Sequence, residues 1–196
     1  MTIQKTIQLI ENFSTVNLDD KKKVIIFDRD GTLIENIPYL KDISQIKFKP
    51  EVVEYLKIAQ DSGFEFVIAT NQSGIGRGLV DLGEVVKVQE EIARQLEFNG
   101  VNLNQYVICP HRPIDNCICR KPKSFMISRI LSTKNIDPKK VFLVGDMLTD
   151  VQAASREGVT SYLISDEVGL GYALPPKSSK VKSFKEAIQN ILSVND

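Results

Sequence analysis

The sequence predicts an α/β domain: a parallel β-sheet with helices on both faces. Three observations lead there. Short, nearly unbroken apolar runs recur along the chain, bounded by polar residues or glycine, which is how strands buried on both faces read. Between them lie segments with apolar residues at helical spacing, and strands alternating with helices give a parallel sheet joined by crossovers. Residues with reactive side chains fall just beyond the ends of the runs, at the rim where such sheets bind ligands. At 196 residues, with 42% hydrophobic and 26% charged residues, the chain has the size and make-up of one globular domain.

Residues 1–22 read as an N-terminal extension to a domain over 23–196. Ile3, Ile7, Ile10 and Phe13 share a helical stripe there and predict a short amphipathic helix that packs on the domain or on a partner. Val24–Phe27 is the first strand, and it runs into Asp28-Arg29-Asp30-Gly31-Thr32. A helix over Glu51–Gln60 follows, with Val52, Val53, Leu56 and Ala59 on one stripe and Pro50 favouring its start. Phe64–Ala69 is the second strand and ends at Thr70-Asn71. Leu82–Phe98 carries Val85, Val88, Ile92 and Leu96 on one face and opens with the capping pattern Asp81…Glu84. Tyr106–Ile108 is the third strand, followed by a cysteine-containing loop and a helix over Ser124–Ser132. Val141–Val144 leads into Gly145-Asp146 and then a helix over Thr149–Glu157, stopped by Gly158. Ser161–Ile164 and a helix over Ser183–Leu192 close the series.

Composition narrows the function. Lys+Arg and Asp+Glu both count 25, so the chain has no formal net charge. Nucleic-acid binders carry a basic excess, because phosphate neutralisation dominates their affinity; a small phosphorylated substrate needs only a local basic pocket. No apolar run approaches 18 residues, which excludes a helical membrane span. Lys5 and Glu11 interrupt the start of the chain where a signal peptide would keep an apolar core, so a cytoplasmic protein is expected.

Four points on the rim carry chemistry. Asp28 and Asp30, two residues apart at a glycine turn, suit one Mg²⁺ beside a phosphate. An EF-hand loop fits poorly, since Gly31 falls at the fourth loop position and the closing Glu is missing. Asp28 is placed to attack phosphorus, and Asp30 to protonate the leaving alkoxide and then deprotonate water. Thr70 offers a hydroxyl to the transferring group, Lys121 a fixed positive charge, and Asp146 with Asp150 a metal-binding carboxylate pair. Singly, each has an ordinary alternative as a cap, a surface lysine or a helix-start aspartate; jointly they point to phosphoester hydrolysis. The glycine-rich stretch Asn71–Gly78 lacks the Gly-Lys-Ser/Thr of a P-loop, but its backbone N–H groups suit a phosphate. Arg77 within it reads equally as a substrate contact or a solvated arginine.

All three cysteines and the sole histidine fall within eleven residues, as Cys109, His111, Cys117 and Cys119. Three thiolates and one imidazole make a complete tetrahedral Zn²⁺ set with no open position, hence a structural metal. A disulfide would strand one thiol and suit a cytosolic protein badly. The metal is expected to stiffen the loop that presents Arg120 and Lys121.

Asp28-Arg29-Asp30-Gly31-Thr32 resembles the nucleophile motif of the haloacid dehalogenase (HAD) superfamily of phosphatases. The resemblance implies a Rossmann-like HAD core with Mg²⁺ on the Asp28 carboxylate, the backbone carbonyl of Asp30 and the Asp146 carboxylate. Only Leu33 to Lys49 separates the first motif from the next helix, and one helix, one strand and the cysteine loop fill Asn71 to Arg120. That leaves no room for the large helical cap of many relatives, so the expected form is capless, with a small zinc-binding loop.

The motifs Asp-Arg-Asp-Gly-Thr, Thr-Asn-Gln-Ser-Gly-Ile-Gly-Arg-Gly, Cys-Pro-His…Cys-x-Cys-Arg-Lys-Pro and Gly-Asp…Asp run from about Lys23 to Ile164. Together they resemble the D-glycero-D-manno-heptose 1,7-bisphosphate 7-phosphatase family and its relative, histidinol-phosphate phosphatase. The resemblance implies a monomeric cytoplasmic enzyme that removes the 7-phosphate in nucleotide-heptose synthesis for surface polysaccharide (lipopolysaccharide). It also implies substrate contacts at Asp28, Arg29, Asp30, Asn36, Ile37, Pro38, Tyr39, Thr70, Asn71, Gln72, Ser73, Arg120 and Lys121. Met147 stands where heptose phosphatases often carry lysine, and Asn36-Ile37-Pro38-Tyr39 keeps the tyrosine without the usual polar lead-in. The short Cys117 loop leans toward the histidinol branch, and Ser73-Gly74-Ile75-Gly76-Arg77-Gly78 toward the heptose branch. A nucleic-acid 3′-phosphatase is disfavoured by the absence of net charge and by the zinc loop. A zinc-stabilised binding module with a decayed core is opposed by Asp28, Asp30, Thr70, Lys121 and Asp146.

Overall fold

A computed structural model describes residues 23–132, 136–165 and 173–194. The helix expected within 1–22 lies outside the described residues. Strands β1 (Lys23–Phe27), β2 (Phe64–Asn71), β3 (Gln105–Cys109), β4 (Val141–Gly145), β5 (Thr160–Ile164) and β6 (Ser178–Val181) form one sheet of order β3-β2-β1-β4-β5-β6. All five strand pairings are parallel, with Phe27 opposite both Ile68 and Val144.

Each buried strand presents alternate residues to opposite faces, and two cores result. Ile25, Phe27, Phe66, Ile68 and Val144 pack against α1 (Val52–Asp61), α3 (Leu82–Phe98) and α6 (Phe184–Ser193). Phe27 anchors this face, its ring 5.8 Å from Phe66 and 5.5 Å from Phe184. Val24, Ile26, Val67, Ala69 and Leu143 pack against α4 (Phe125–Ser132) and α5 (Leu148–Arg156). Burial of each such aliphatic or aromatic side chain contributes about 1.5–3 kcal/mol. The α3 cap forms as its sequence predicts, with Glu84 N donating to Asp81 Oδ1 at 2.7 Å and Asp81 N to Glu84 Oε2 at 2.9 Å.

The structure adds two elements. β6 has one buried residue, Val181, in a polar run, and as an edge strand it needs no more; Ser161 Oγ and Ser178 Oγ lie 2.9 Å apart across it. The glycine-rich stretch contains a single helical turn, α2 (Ser73–Gly76). Strand order reverses between β1 and β4, and the crevice beyond their carboxyl ends is where such sheets bind ligands. Among the described residues no helical cap stands over that crevice, where β1 connects to α1 through one 3₁₀ turn, Ile43–Gln45. No helix among them is long and apolar enough to cross a membrane.

Candidate active site

β1 delivers Asp28 to the crevice: its N–H donates to Val144 O at 3.0 Å, extending the pairing with β4 by one residue. The chain then turns sharply, with Leu33 N and Ile34 N both donating to Arg29 O at 3.0 and 3.1 Å. Gly31, at φ +82°, makes this turn, and a Cβ there would lie 2.1 Å from Asp146 Oδ2. Glycine is required on both counts, because the first and fourth motifs approach within atomic contact.

Lys121 is the hub. Its Nζ is buried and lies 2.6 Å from Asp28 Oδ1, 2.6 Å from Asp150 Oδ1 and 2.6 Å from Ala69 O. Burial alone lowers an ammonium pKa, but the Asp150 and Asp28 carboxylates outweigh it and hold Lys121 above its usual value. Burial pushes Asp28 up to about 7 against the pull of Lys121, with Asp150 adding to the rise. Burial and then Asp150 push Asp146 up to about 6.

These shifts describe a site short of positive charge. Carboxylate oxygens of Asp28, Asp146 and Asp150 all lie within 4.8 Å of one another. One ammonium against three carboxylates leaves an excess of two negative charges. Asp146 Oδ1 is buried with no hydrogen-bond partner. Asp150 has less to give than the sequence suggested, since Oδ1 meets Lys121 and Oδ2 accepts from Met147 N at 3.0 Å. An oxygen-lined, doubly negative pocket with a buried, unpartnered carboxylate oxygen fits Mg²⁺. The Asp30 carboxylate falls outside this group, so any part it takes in metal binding is through its backbone.

Asp30 is held from two sides. Arg29, almost fully buried, donates from Nε at 3.1 Å and Nη2 at 3.0 Å, and Gln72 Nε2 donates at 2.7 Å. Gln72 Nε2 also lies 2.9 Å from Thr70 Oγ1. Asn71 is committed to the backbone of Lys121, donating to its carbonyl at 3.2 Å and accepting from its N–H at 3.1 Å.

The thirteen positions expected to contact substrate all line one cavity of about 560 Å³, with Gly74, Pro113, Pro122, Asp146, Met147, Thr149 and Asp150 completing it. Asn36, Ile37, Pro38 and Tyr39 form one wall. Tyr39 holds the left-handed φ of +56°, and its ring lies over Gly74, where a Cβ would come within 2.7 Å of Cδ1. Arg120 is half-buried and donates to His111 O at 3.3 Å. Arg77 is exposed and does not line the cavity. Sequence reasoning missed Lys49, whose Nζ donates to Gly31 O at 3.0 Å and which draws Asp146 toward its charged form. A lone lysine ahead of a helix carries no signal for this.

The cysteine loop gathers as its inventory predicts. Cys109 Sγ lies 3.7 Å from Cys117 Sγ and 3.3 Å from Cys119 Sγ, the latter two are 3.5 Å apart, and His111 Nδ1 is 3.7 Å from Cys109 and 3.3 Å from Cys119. A tetrahedral Zn²⁺ with these ligands has edges of about 3.5 Å. All three cysteines are free thiols. Their hydrogen bonds split them, raising Cys109 and pulling Cys119 down to about 6. A soft, compact donor set of this kind fits Zn²⁺.

The sequence profile of the polynucleotide kinase 3 phosphatase family matches residues 23–158. A D-glycero-beta-D-manno-heptose-1,7-bisphosphate 7-phosphatase of Haemophilus ducreyi is 36% identical over 166 residues, 81% of this chain and 90% of that protein. A histidine biosynthesis bifunctional protein of Blochmanniella floridana is 34% identical over 140 residues, 70% of this chain but only 39% of that protein. The crystal structure of D,D-heptose 1,7-bisphosphate phosphatase from B. bronchiseptica, complexed with magnesium and phosphate, superposes with a TM-score of 0.79 at 29% identity, covering 88% of this chain and 99% of that one.

Proposed function

The chain belongs to the HAD phosphatases, in the branch of heptose bisphosphate and histidinol-phosphate phosphatases, and from that premise we propose that it removes the 7-phosphate of D-glycero-D-manno-heptose 1,7-bisphosphate. The observation that carries the reading is the Asp28–Lys121 contact of 2.6 Å inside a metal-ready group of carboxylates at the β1/β4 crevice.

Mg²⁺, held by the Asp28 carboxylate, the Asp30 carbonyl and the Asp146 carboxylate, would supply neutralisation of the phosphate charge. Lys121 opposes the rise that burial imposes on Asp28 and so favours its ionised, nucleophilic form, and its ammonium turns to the phosphoryl oxygens when substrate enters. Asp28 attacks phosphorus as the bond to O7 breaks, and Asp30, which enters the cycle as the protonated carboxyl, gives the departing oxygen its proton. The aspartyl-phosphate on Asp28 is then hydrolysed by water whose proton passes to Asp30, restoring both carboxyl groups and releasing phosphate. Thr70 donates its hydroxyl to the moving phosphoryl group. Cys109, His111, Cys117 and Cys119 would hold a structural Zn²⁺ that keeps Arg120 and Lys121 in place.

The cavity favours the heptose over histidinol phosphate. Among the described residues its carboxylates are Asp28, Asp30, Asp146 and Asp150, all engaged in the site itself, so none of these is left to pair with the ammonium of histidinol. Arg120 and the polar groups of Asn36 and Tyr39 instead match a second phosphate and sugar hydroxyls. We place the enzyme in the cytoplasm as a monomer, in nucleotide-heptose synthesis, as its resemblance implies.

The test is Mg²⁺-dependent phosphate release from both anomers of heptose 1,7-bisphosphate and from histidinol phosphate. A kcat/KM preference of about 10²-fold for a heptose, equal to about 2.7 kcal/mol, is expected. The reverse preference assigns the chain to the histidinol branch. Unchanged turnover by a folded Asp28→Asn variant would refute the mechanism itself.

A further inference from the structure

One amide, expected to contact substrate, instead reaches two of the reacting groups. Gln72 is buried at the head of α2 and aims Nε2 at Asp30 Oδ2, 2.7 Å away, and at Thr70 Oγ1, 2.9 Å away. An amide nitrogen carries two hydrogens, and these contacts use both. The orientation follows from Asp30 Oδ2, which already accepts from Arg29 Nε at 3.1 Å: the amide oxygen in that place would meet another acceptor across the same 2.7 Å.

Two consequences bear on the chemistry. Thr70 Oγ1 accepts from Gln72, so its own hydrogen is directed elsewhere and is available to a phosphoryl oxygen. The Asp30 carboxyl group is fixed between Gln72 and Arg29, whose Nε lies 3.2 and 3.1 Å from its two oxygens. What Gln72 retains for a ligand is Oε1, an acceptor, which is mismatched to phosphate.

We propose that Gln72 is a positioning residue of the hydrolysis, its side-chain amide setting Asp30 and Thr70 against the scissile phosphate rather than binding substrate. The proposal rests on the phosphatase reading above and deepens it. A substrate contact and a holder of the general acid differ in how they respond to the leaving group. An alkoxide needs a proton from Asp30 to depart; p-nitrophenolate does not. kcat/KM covers the steps up to formation of the phosphoenzyme, so it reports on that first proton transfer alone.

The experiment compares Gln72→Leu and Gln72→Glu with wild type on the alkyl phosphate that wild type turns over and on p-nitrophenyl phosphate, with circular dichroism confirming the fold of each. Leucine removes the donors at similar volume; glutamate also sets a second carboxylate against Asp30. The expected result is a loss of about 10²-fold in kcat/KM for the alkyl ester, carried by kcat, at least about tenfold larger than the loss for the aryl ester, and larger for glutamate than for leucine. Equal losses on the two esters, or a rise in KM with kcat unchanged, would overturn the Gln72 proposal and leave the phosphatase reading intact. Failure of wild type to hydrolyse any phosphate ester would overturn both.

Discussion

At the scale of single residues, the closest tolerance is between Gly31 and Asp146. A Cβ at Gly31 would have to occupy space 2.1 Å from Asp146 Oδ2, at a φ of +82° that side chains resist. Gly31→Ala is therefore expected to cost about 1–3 kcal/mol of stability and to displace the carboxylate that faces the metal. Thermal unfolding together with the Mg²⁺ concentration for half-maximal activity measures both; a variant unchanged in the two would show that the turn relaxes freely. The identity of Asp28, Asp30, Thr70, Lys121 and Asp146 as one group was legible because each sits at a strand end beside a recognisable local pattern. What Arg29, Asn71 and Gln72 do was not. Their partners are set by tertiary packing: Gln72 reaches a residue 42 positions away and Asn71 one 50 positions away, distances over which periodicity says nothing. Arg29 pairs with its own neighbour, and its almost complete burial, which no local pattern announces, is what turns it into a holder of Asp30.

At the scale of elements, the helices and the five buried strands were legible because burial on one or both faces imposes a period on the sequence. β6 escaped, since an edge strand of Ser178-Ser179-Lys180-Val181 has one buried position and no period to show. The α2 turn escaped because its glycines read as a loop. α3 carries a cost its pattern conceals: Gln89 is fully buried in the helix, and neither Nε2 nor Oε1 has a hydrogen-bond partner. Gln89→Met keeps the length and removes the unpaired amide, so it is expected to stabilise by about 1–2 kcal/mol, raising Tm by about 2–8 °C with activity unaltered. A lower Tm would mean that the amide finds water or a partner in solution. The cysteine loop makes the opposite case. Its four ligands converge with few apolar contacts of its own beyond Cys109 and Cys119, so the metal is expected to hold it. Cys117→Ser should leave zinc bound below one equivalent by elemental analysis and lower kcat at least about tenfold by loosening Arg120 and Lys121. Full zinc content with normal kcat in that variant would make the thiol dispensable.

At the scale of the whole molecule, the sheet order brings like charges together and the fold has to sustain them. β1 and β4 meet where the strand order reverses, so the carboxylates that follow them converge in one buried crevice where, among the described residues, Lys121 is the one cation in direct contact. A net charge of zero over the chain does nothing to relieve this local excess. Asp28 is raised from 3.8 to about 7 and Asp146 from 3.8 to about 6, both first by burial. A carboxyl whose folded pKa lies above its unfolded value favours the folded state most when protonated. The metal-free protein should accordingly lose stability as pH rises from about 4 through about 7, the reverse of an ordinary salt-bridged aspartate. Mg²⁺ competes with those protons and binds the ionised form, so it should return the stability at the high end of the same window. At a concentration about 100 times its Kd it adds about 2.7 kcal/mol. Differential scanning calorimetry at pH 5 and pH 8, with and without Mg²⁺, is expected to show a Tm increase that is small at the lower pH and several degrees at the higher. Asp146→Asn should raise the metal-free Tm at pH 8 and abolish the response to Mg²⁺, because it removes a charge the fold tolerates only for the cation. An equal response at both pH values, or one that survives in Asp146→Asn, would place the cation elsewhere and sever the link between the sheet's reversal point and its chemistry.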